Sequence, residues 1–388
     1  MKTKRTPKII AICVSLALTG PAFAQLIPLG PETRADLGPL AFPNCPQVVG
    51  KADRSFFVAW TEGDEVLGRR FNILGAPASG EISLDEGTAA GKTPFDLRLQ
   101  QRPGFGEIAV WSTRDGSDPI RFDRWTPATG ADLLGAPSYV DEAFPRRVGG
   151  YIGVWNGRRP NSLVATLLSE SGTPSFPAFR RVEGAPSVFP FLDFAQAVDG
   201  SFTALWSDIG RDRFLLQRYG PTARPLGPPV VAIDDPSASA VYFASSQNGR
   251  TAVAWVDYDL SGGGVAGDLF IRFFGPNGQP TSAPQLVASV TNPGLSFNPE
   301  AIALDRQGRA LLVWSQLDND PPIEAYQVQL WAPTGAESPV LDLGAGTIRV
   351  GTPFCASATS AGRAWAVVWR AQAAEGEAIY VRRFFTGL

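Results

Sequence analysis

The segment Asp257-Tyr-Asp259-Leu-Ser261-Gly-Gly263-Gly-Val265-Ala-Gly-Asp268 puts oxygen-bearing side chains at alternate positions. Such a set can converge on a hard cation such as calcium. Asp257, Asp259 and Ser261 would give side-chain oxygens, Gly263 a carbonyl, and Asp268 the closing carboxylate. A glycine at the sixth position permits the sharp turn. The closing residue is the shorter Asp, however, and the flanks read as strands. A Gly-rich surface loop with solvated carboxylates is therefore the first expectation for this segment, with calcium the second.

Other chemistry is narrowed by what the chain lacks. It has no histidine, which removes Ser-His-Asp and Cys-His nucleophiles, imidazole acid–base work and His-ligated metals. Beyond residue 24 the only lysines are Lys51 and Lys92, and the only cysteines are Cys45 and Cys355. Schiff-base, thiolate and Cys-rich metal chemistry therefore have few candidates. Carboxylates are plentiful, with 37 Asp and Glu. A glycosidase needs two of them roughly 5 to 10 Å apart, and no local spacing says which two would meet. The sequence therefore assigns no catalytic and no cofactor residue.

The elements that must position any site repeat along the chain. A short apolar run ends in tryptophan seven times, at Trp60, Trp111, Trp155, Trp206, Trp255, Trp314 and Trp369, with spacings of 51, 44, 51, 49, 59 and 55 residues. Each run is too short and too β-branched to be a helix, and the period is that of a propeller blade. Tight-turn pairs such as Asp199-Gly200, Asn248-Gly249, Gln307-Gly308 and Ala361-Gly362 precede these strands, and glycine there supplies the positive φ of a hairpin. An alternating strand such as LFIRFF (269 to 274) follows, then a Pro-x-Gly turn and a short last strand. This predicts an all-β, seven-bladed β-propeller with four antiparallel strands per blade. One tryptophan at one position of every repeat packs between blades rather than holding a ligand.

The seventh repeat stops before its fourth strand, while residues 28 to 37 look like the fourth strand of the fourth repeat. The N-terminal segment is thus expected to complete the last blade and remove the exposed sheet edges. Cys45 and Cys355 fall in the first strands of blades one and seven, neighbours in a closed ring, so a disulfide between them is expected. Residues 1–24 carry a basic start (Lys2, Lys4, Arg5, Lys8), an apolar core and the ending Ala22-Phe23-Ala24. These are the marks of a secretory signal peptide, leaving residues 25–388 as one secreted or periplasmic domain. Taking those four basic residues from the 34 leaves 30 against 37 acidic residues, a net charge of −7. Neither nucleic-acid binding nor membrane insertion is expected, and the chain is expected to be a monomer.

The repeat, apolar-apolar-x-Trp, then an Arg/Phe-rich alternating strand and a Gly-containing turn, resembles that of uncharacterised secreted bacterial β-propellers over residues 28 to 388. The resemblance implies the fold and an exported location, and ties no residue set to an activity. The marks of WD, kelch and sialidase repeats are missing. The first functional expectation is a non-catalytic exported binding or scaffold protein presenting its loops to a protein or glycan, without a cofactor. The alternative is a carboxylate-based glycoside hydrolase or polysaccharide lyase. A shallow polar disc at the channel mouth would favour the first, and a pocket with paired acids the second.

Overall fold

Each apolar run ending in tryptophan becomes the second strand of a four-stranded antiparallel sheet, and seven such sheets form a ring. The computed structural model describes residues 26–387 apart from 39, 41–44, 87–92, 103–105, 115–120, 135, 137–139, 158–161, 176, 184–190, 209–211, 260–265, 290–294, 320–321, 344–355 and 374. No helix occurs among the described residues. The protein is a seven-bladed β-propeller.

The innermost strands of blades one to seven are Gln47–Gly50, Thr93–Arg102, Glu142–Pro145, Leu192–Gln196, Ala238–Ser245, Leu295–Leu304 and Ala356–Ala361. The predicted hairpin glycines that follow four of them have positive φ: Gly200 at 80°, Gly249 at 79°, Gly308 at 84° and Gly362 at 68°. Blade six departs from four strands. Its outer edge is split between Gly335–Ala336 and Leu341–Leu343, both paired to the third strand.

The last blade is finished by the other end of the described chain. Leu26–Arg34 pairs antiparallel with Gly376–Thr386, running from Leu26 opposite Thr386 to Arg34 opposite Tyr380, with an irregularity between Leu29 and Thr33. The strand begins two residues before the segment picked out by sequence likeness. Side chains anchor its far end: Asp36 accepts the Ile379 amide at 2.6 Å, and the Arg382 guanidinium lies 3.0 Å from Glu32.

The repeated tryptophans are packing residues, as expected. Trp60, Trp111, Trp206, Trp255, Trp314 and Trp369 are all buried, and Trp155 is half-buried. Apolar clusters cross from blade to blade. One joins Val58, Trp60 and Phe71 of blade one to Val368 and Val381 of blade seven. Because each blade covers only its neighbours, this cross-blade burial is what holds the ring together.

Candidate active site at the channel mouth

In every blade the second strand runs antiparallel to the innermost one, so its tryptophan lies level with the first half of the innermost strand or the residue just before it. The residue opposite the one preceding the tryptophan therefore falls at the same level all around the channel. Strand pairing places Gln47, Arg98, Glu142, Asp193, Tyr242 and Ser357 there, facing Ala59, Val110, Val154, Leu205, Ala254 and Val368. In blade six Ala301 takes this place opposite Val313, and Glu300 is the extra residue of a bulge beside it.

Blades two to six thus carry a continuous arc, Arg98–Glu142–Asp193–Tyr242–Glu300, while blades one and seven contribute neutral residues. Three of the five innermost strands in the arc are bulged next to it, between Phe95 and Arg98, Ser239 and Tyr242, and Pro299 and Ala301. Asp96 and Ala240 take positive φ of 51° and 46° inside two of these bulges. A bulge breaks the strand alternation and re-aims a side chain, a device found beside active sites.

The arc is chemically graded. At one end the Arg98 guanidinium lies 3.4 Å from Glu142 and 4.5 Å from the centre of the Phe144 ring. At the other, Glu300 is only 5% exposed and accepts one hydrogen bond, from the Ser315 hydroxyl at 2.9 Å. Burial pushes the Glu300 carboxyl up to about 8, against the pull of that hydrogen bond. Tyr242 between them is 39% exposed. Its phenol is pushed up to about 12 by burial of its inner edge and by the charges of Glu300 and Asp193.

Burial also raises Asp193, opposed by Arg98 and by the Phe194 amide that its carboxylate accepts at 2.7 Å. It raises Glu142 as well, where Arg98 again opposes and Asp96, Asp193 and Asp141 add to the rise. A cavity of about 310 Å³ extends the site beside Arg98, lined by Cys45, Gln47, Thr61, Phe95, Asp96 and Leu97.

A carboxyl that keeps its proton near neutral pH is one half of acid–base catalysis. With its carboxyl titrating near 8, Glu300 is about nine-tenths protonated at pH 7 and can donate a proton. On the Asp193–Glu142 side Arg98 opposes the rise that burial causes in both carboxyls. All three carboxyls are raised by burial, and only Asp193 and Glu142 have Arg98 opposing the rise, so the arc holds acids in unlike environments.

The structure places the predicted calcium residues elsewhere. Asp257 and Asp268 face each other across the second and third strands of blade five. Their carboxylates accept hydrogen bonds from the Ser237 and Ser289 hydroxyls, the latter at 2.5 Å. Asp259 continues the second strand opposite Ala266, and Ser261 and Gly263 lie outside the described residues. Among the described residues no group of three or more His, Cys, Asp or Glu is placed to hold a metal. Cys45 lies at the mouth of blade one, and Cys355 lies outside the described residues. Of the acidic loops at this end, 115–118 and 320 are outside them too. Asp208 is tied to Arg213 at 3.1 Å.

None of the five arc residues was identified from the sequence. The signal that finds them is the pairing register relative to the tryptophan, which needs the innermost strands to be aligned through their bulges.

No protein-family model and no curated protein matches the chain. Solved structures match in fold. A structure of one of two prolyl endopeptidases has a TM-score of 0.51 at 14% identity, over 93% of this chain and 47% of the other. The chain therefore spans about half the length of that neighbour. The polysaccharide lyase Uly1 has a TM-score of 0.50 at 10% identity, over 94% of this chain and 99% of the other. Hydrazine synthase of Kuenenia stuttgartiensis has a TM-score of 0.51 at 12% identity, over 90% and 97%. At these identities the likeness is one of fold.

The expectation of a non-catalytic scaffold is corrected by these observations. The channel mouth holds desolvated acids, one of them pushed up to about 8, and the solved structures of like fold include those of prolyl endopeptidases, of whose length this chain spans about half, and of a polysaccharide lyase, a likeness of fold alone. The reason the sequence pointed the other way is physical: the acids come one from each blade, and none is remarkable in its own segment.

Proposed function

We propose that the protein cleaves a polysaccharide by carboxylate acid–base chemistry, as a glycoside hydrolase. One observation carries the reading: Glu300, its carboxyl pushed up to about 8 by burial, stands with Asp193 near enough to Tyr242 at the channel mouth that both acids raise its phenol. Glu300 donates its proton to the leaving glycosidic oxygen. The Asp193–Glu142 pair activates water or attacks the sugar from the other side of the arc. Tyr242, held neutral, donates a hydrogen bond to the sugar. Three acids in one arc favour a neutral or cationic sugar over a uronate, whose charge they would repel.

A second reading is lyase chemistry. Arg98 and Tyr242 in the same arc favour it, Arg98 to neutralise a uronate, the neighbouring Asp193 carboxylate to take its C5 proton as the C4–O bond breaks, and Tyr242 to protonate the leaving oxygen. The full-length coverage of a polysaccharide lyase makes glycans the first substrates to test. A panel of neutral and uronate polysaccharides, assayed both for reducing ends and for the ultraviolet absorbance of an unsaturated product, separates the two. Glu300→Gln should lower the rate by about 100-fold or more, the usual worth of a general acid. Activity equal to wild type in Glu300→Gln and Asp193→Asn refutes the assignment.

We further propose that residues 1–24 direct export, that the enzyme works in the periplasm or outside the cell, and that Cys45 pairs with Cys355. Two contacts support the pairing. The Val48 and Gly50 amides donate to the hydroxyls of Ser357 at 3.3 Å and Thr359 at 3.0 Å, so blades one and seven run in step along the channel. Cys45 does not stand as a free thiol. Mass spectrometry of the non-reduced protein tests the bond.

A further inference from the structure

The other end of the channel has the opposite chemical character. There the innermost strands finish and turn outward, and a cavity of about 250 Å³ is lined by residues of all seven blades. Arg147 of blade three lines it. Its Nε is buried without a hydrogen-bond partner, and no acidic residue among the described ones forms an ion pair with it. Across the ring, the turn of blade six carries Arg306, whose Nε–H donates to Gln247 in the cavity wall at 2.6 Å. The two guanidinium groups are close enough for the charge of Arg306, together with burial, to hold Arg147 below its usual range.

The backbone of Arg147 is fixed in this position. Its amide donates to Gln196 Oε1 at 3.0 Å, and Gln196 in turn donates to the Pro145 carbonyl at 2.7 Å. A half-buried guanidinium with no ion-pair partner among the described residues, in the field of a second one on the exposed Arg306, is destabilised. An oxyanion between the two would satisfy both through charge-assisted hydrogen bonds. The channel thus runs from an acidic mouth to a cationic one.

We propose that this end of the channel binds a small oxyanion, a carboxylate or phosphate, clamped between Arg147 and Arg306 with Gln247 beside it. A volume of about 250 Å³ holds roughly eight waters at about 30 Å³ each, which is the scale of a monosaccharide. The site is separate from the acidic arc and does not depend on the proposed hydrolase activity.

Isothermal titration of the full-length protein at constant ionic strength in chloride tests it, with sodium phosphate, sodium glucuronate and glucose as probes. Either anion should bind, glucose should not, and the anion that binds identifies the class. Arg147→Gln and Arg306→Gln should each weaken binding by about tenfold or more, since a hydrogen bond to a charged group is worth at least that. Arg306 sits in a turn, so its variant remains informative should Arg147→Gln fail to fold. Glu300→Gln should bind as wild type does. No heat from either anion, equal binding of glucose, unchanged affinity in Arg306→Gln, or loss of binding in Glu300→Gln would overturn the proposal.

Discussion

Substituting Glu300 by glutamine should change how stability depends on pH, and this can be measured without knowing the substrate. The side chain is 5% exposed and its carboxyl titrates near 8 in the folded protein, against an ordinary value of 4.5. Below pH 4.5 both folded and unfolded chains hold the proton, and the stabilisation is complete. Between 4.5 and 8 the unfolded chain has released it while the folded one keeps it. Stability then falls with rising pH by about 1.4 kcal/mol per pH unit. Across that window the ceiling is about 5 kcal/mol, lost by the time the pH passes the folded value.

Glutamine keeps the volume and can still accept the Ser315 hydrogen bond, but it has no proton to lose. Urea unfolding of wild type and Glu300→Gln at pH 5, 6, 7, 8 and 9 isolates the effect, because every other titrating group is common to both proteins. The variant should gain on wild type steadily from pH 5 to 8 and then level off. A difference that stays flat across that range refutes the buried acid, and with it the general-acid assignment.

Other consequences follow from the packing and the ring. Trp369→Ala empties a fully buried site between blades six and seven and should cost about 3–5 kcal/mol, read as a lower urea midpoint. Gly150→Ala should destabilise the turn of blade three by at least about 1 kcal/mol by the same measure. Gly150 has φ of 68°, and a Cβ would lie 2.2 Å from the Leu168 carbonyl oxygen. Cys45→Ala should lower stability by several kcal/mol, since the proposed staple closes a loop of about 300 residues, worth about 5–6 kcal/mol in the chain-entropy model. A wild type insensitive to reductant would speak against it.

The architecture was legible because it is written in local signals repeated seven times. A tryptophan recurs in each second strand, glycine marks most of the hairpins, and the missing outer strand of the last repeat matches a segment near the chain's start. Each signal needs only neighbours in sequence, and the repetition averages out the weakness of any one. Arg98, Glu142, Asp193, Tyr242 and Glu300 have no such local mark. They are one residue per blade, spread over some two hundred positions, and three sit at bulges that break the alternation by which a side chain's face is read. Only closure of the ring brings them to one level of one channel. The desolvation that raises Glu300, like the face-off of Arg147 and Arg306 at the other end, is a property of that enclosed space. The sequence therefore determined the disc and its closure, and the tertiary structure decided which charges meet in its middle, because charge interactions depend on distance through space and not along the chain.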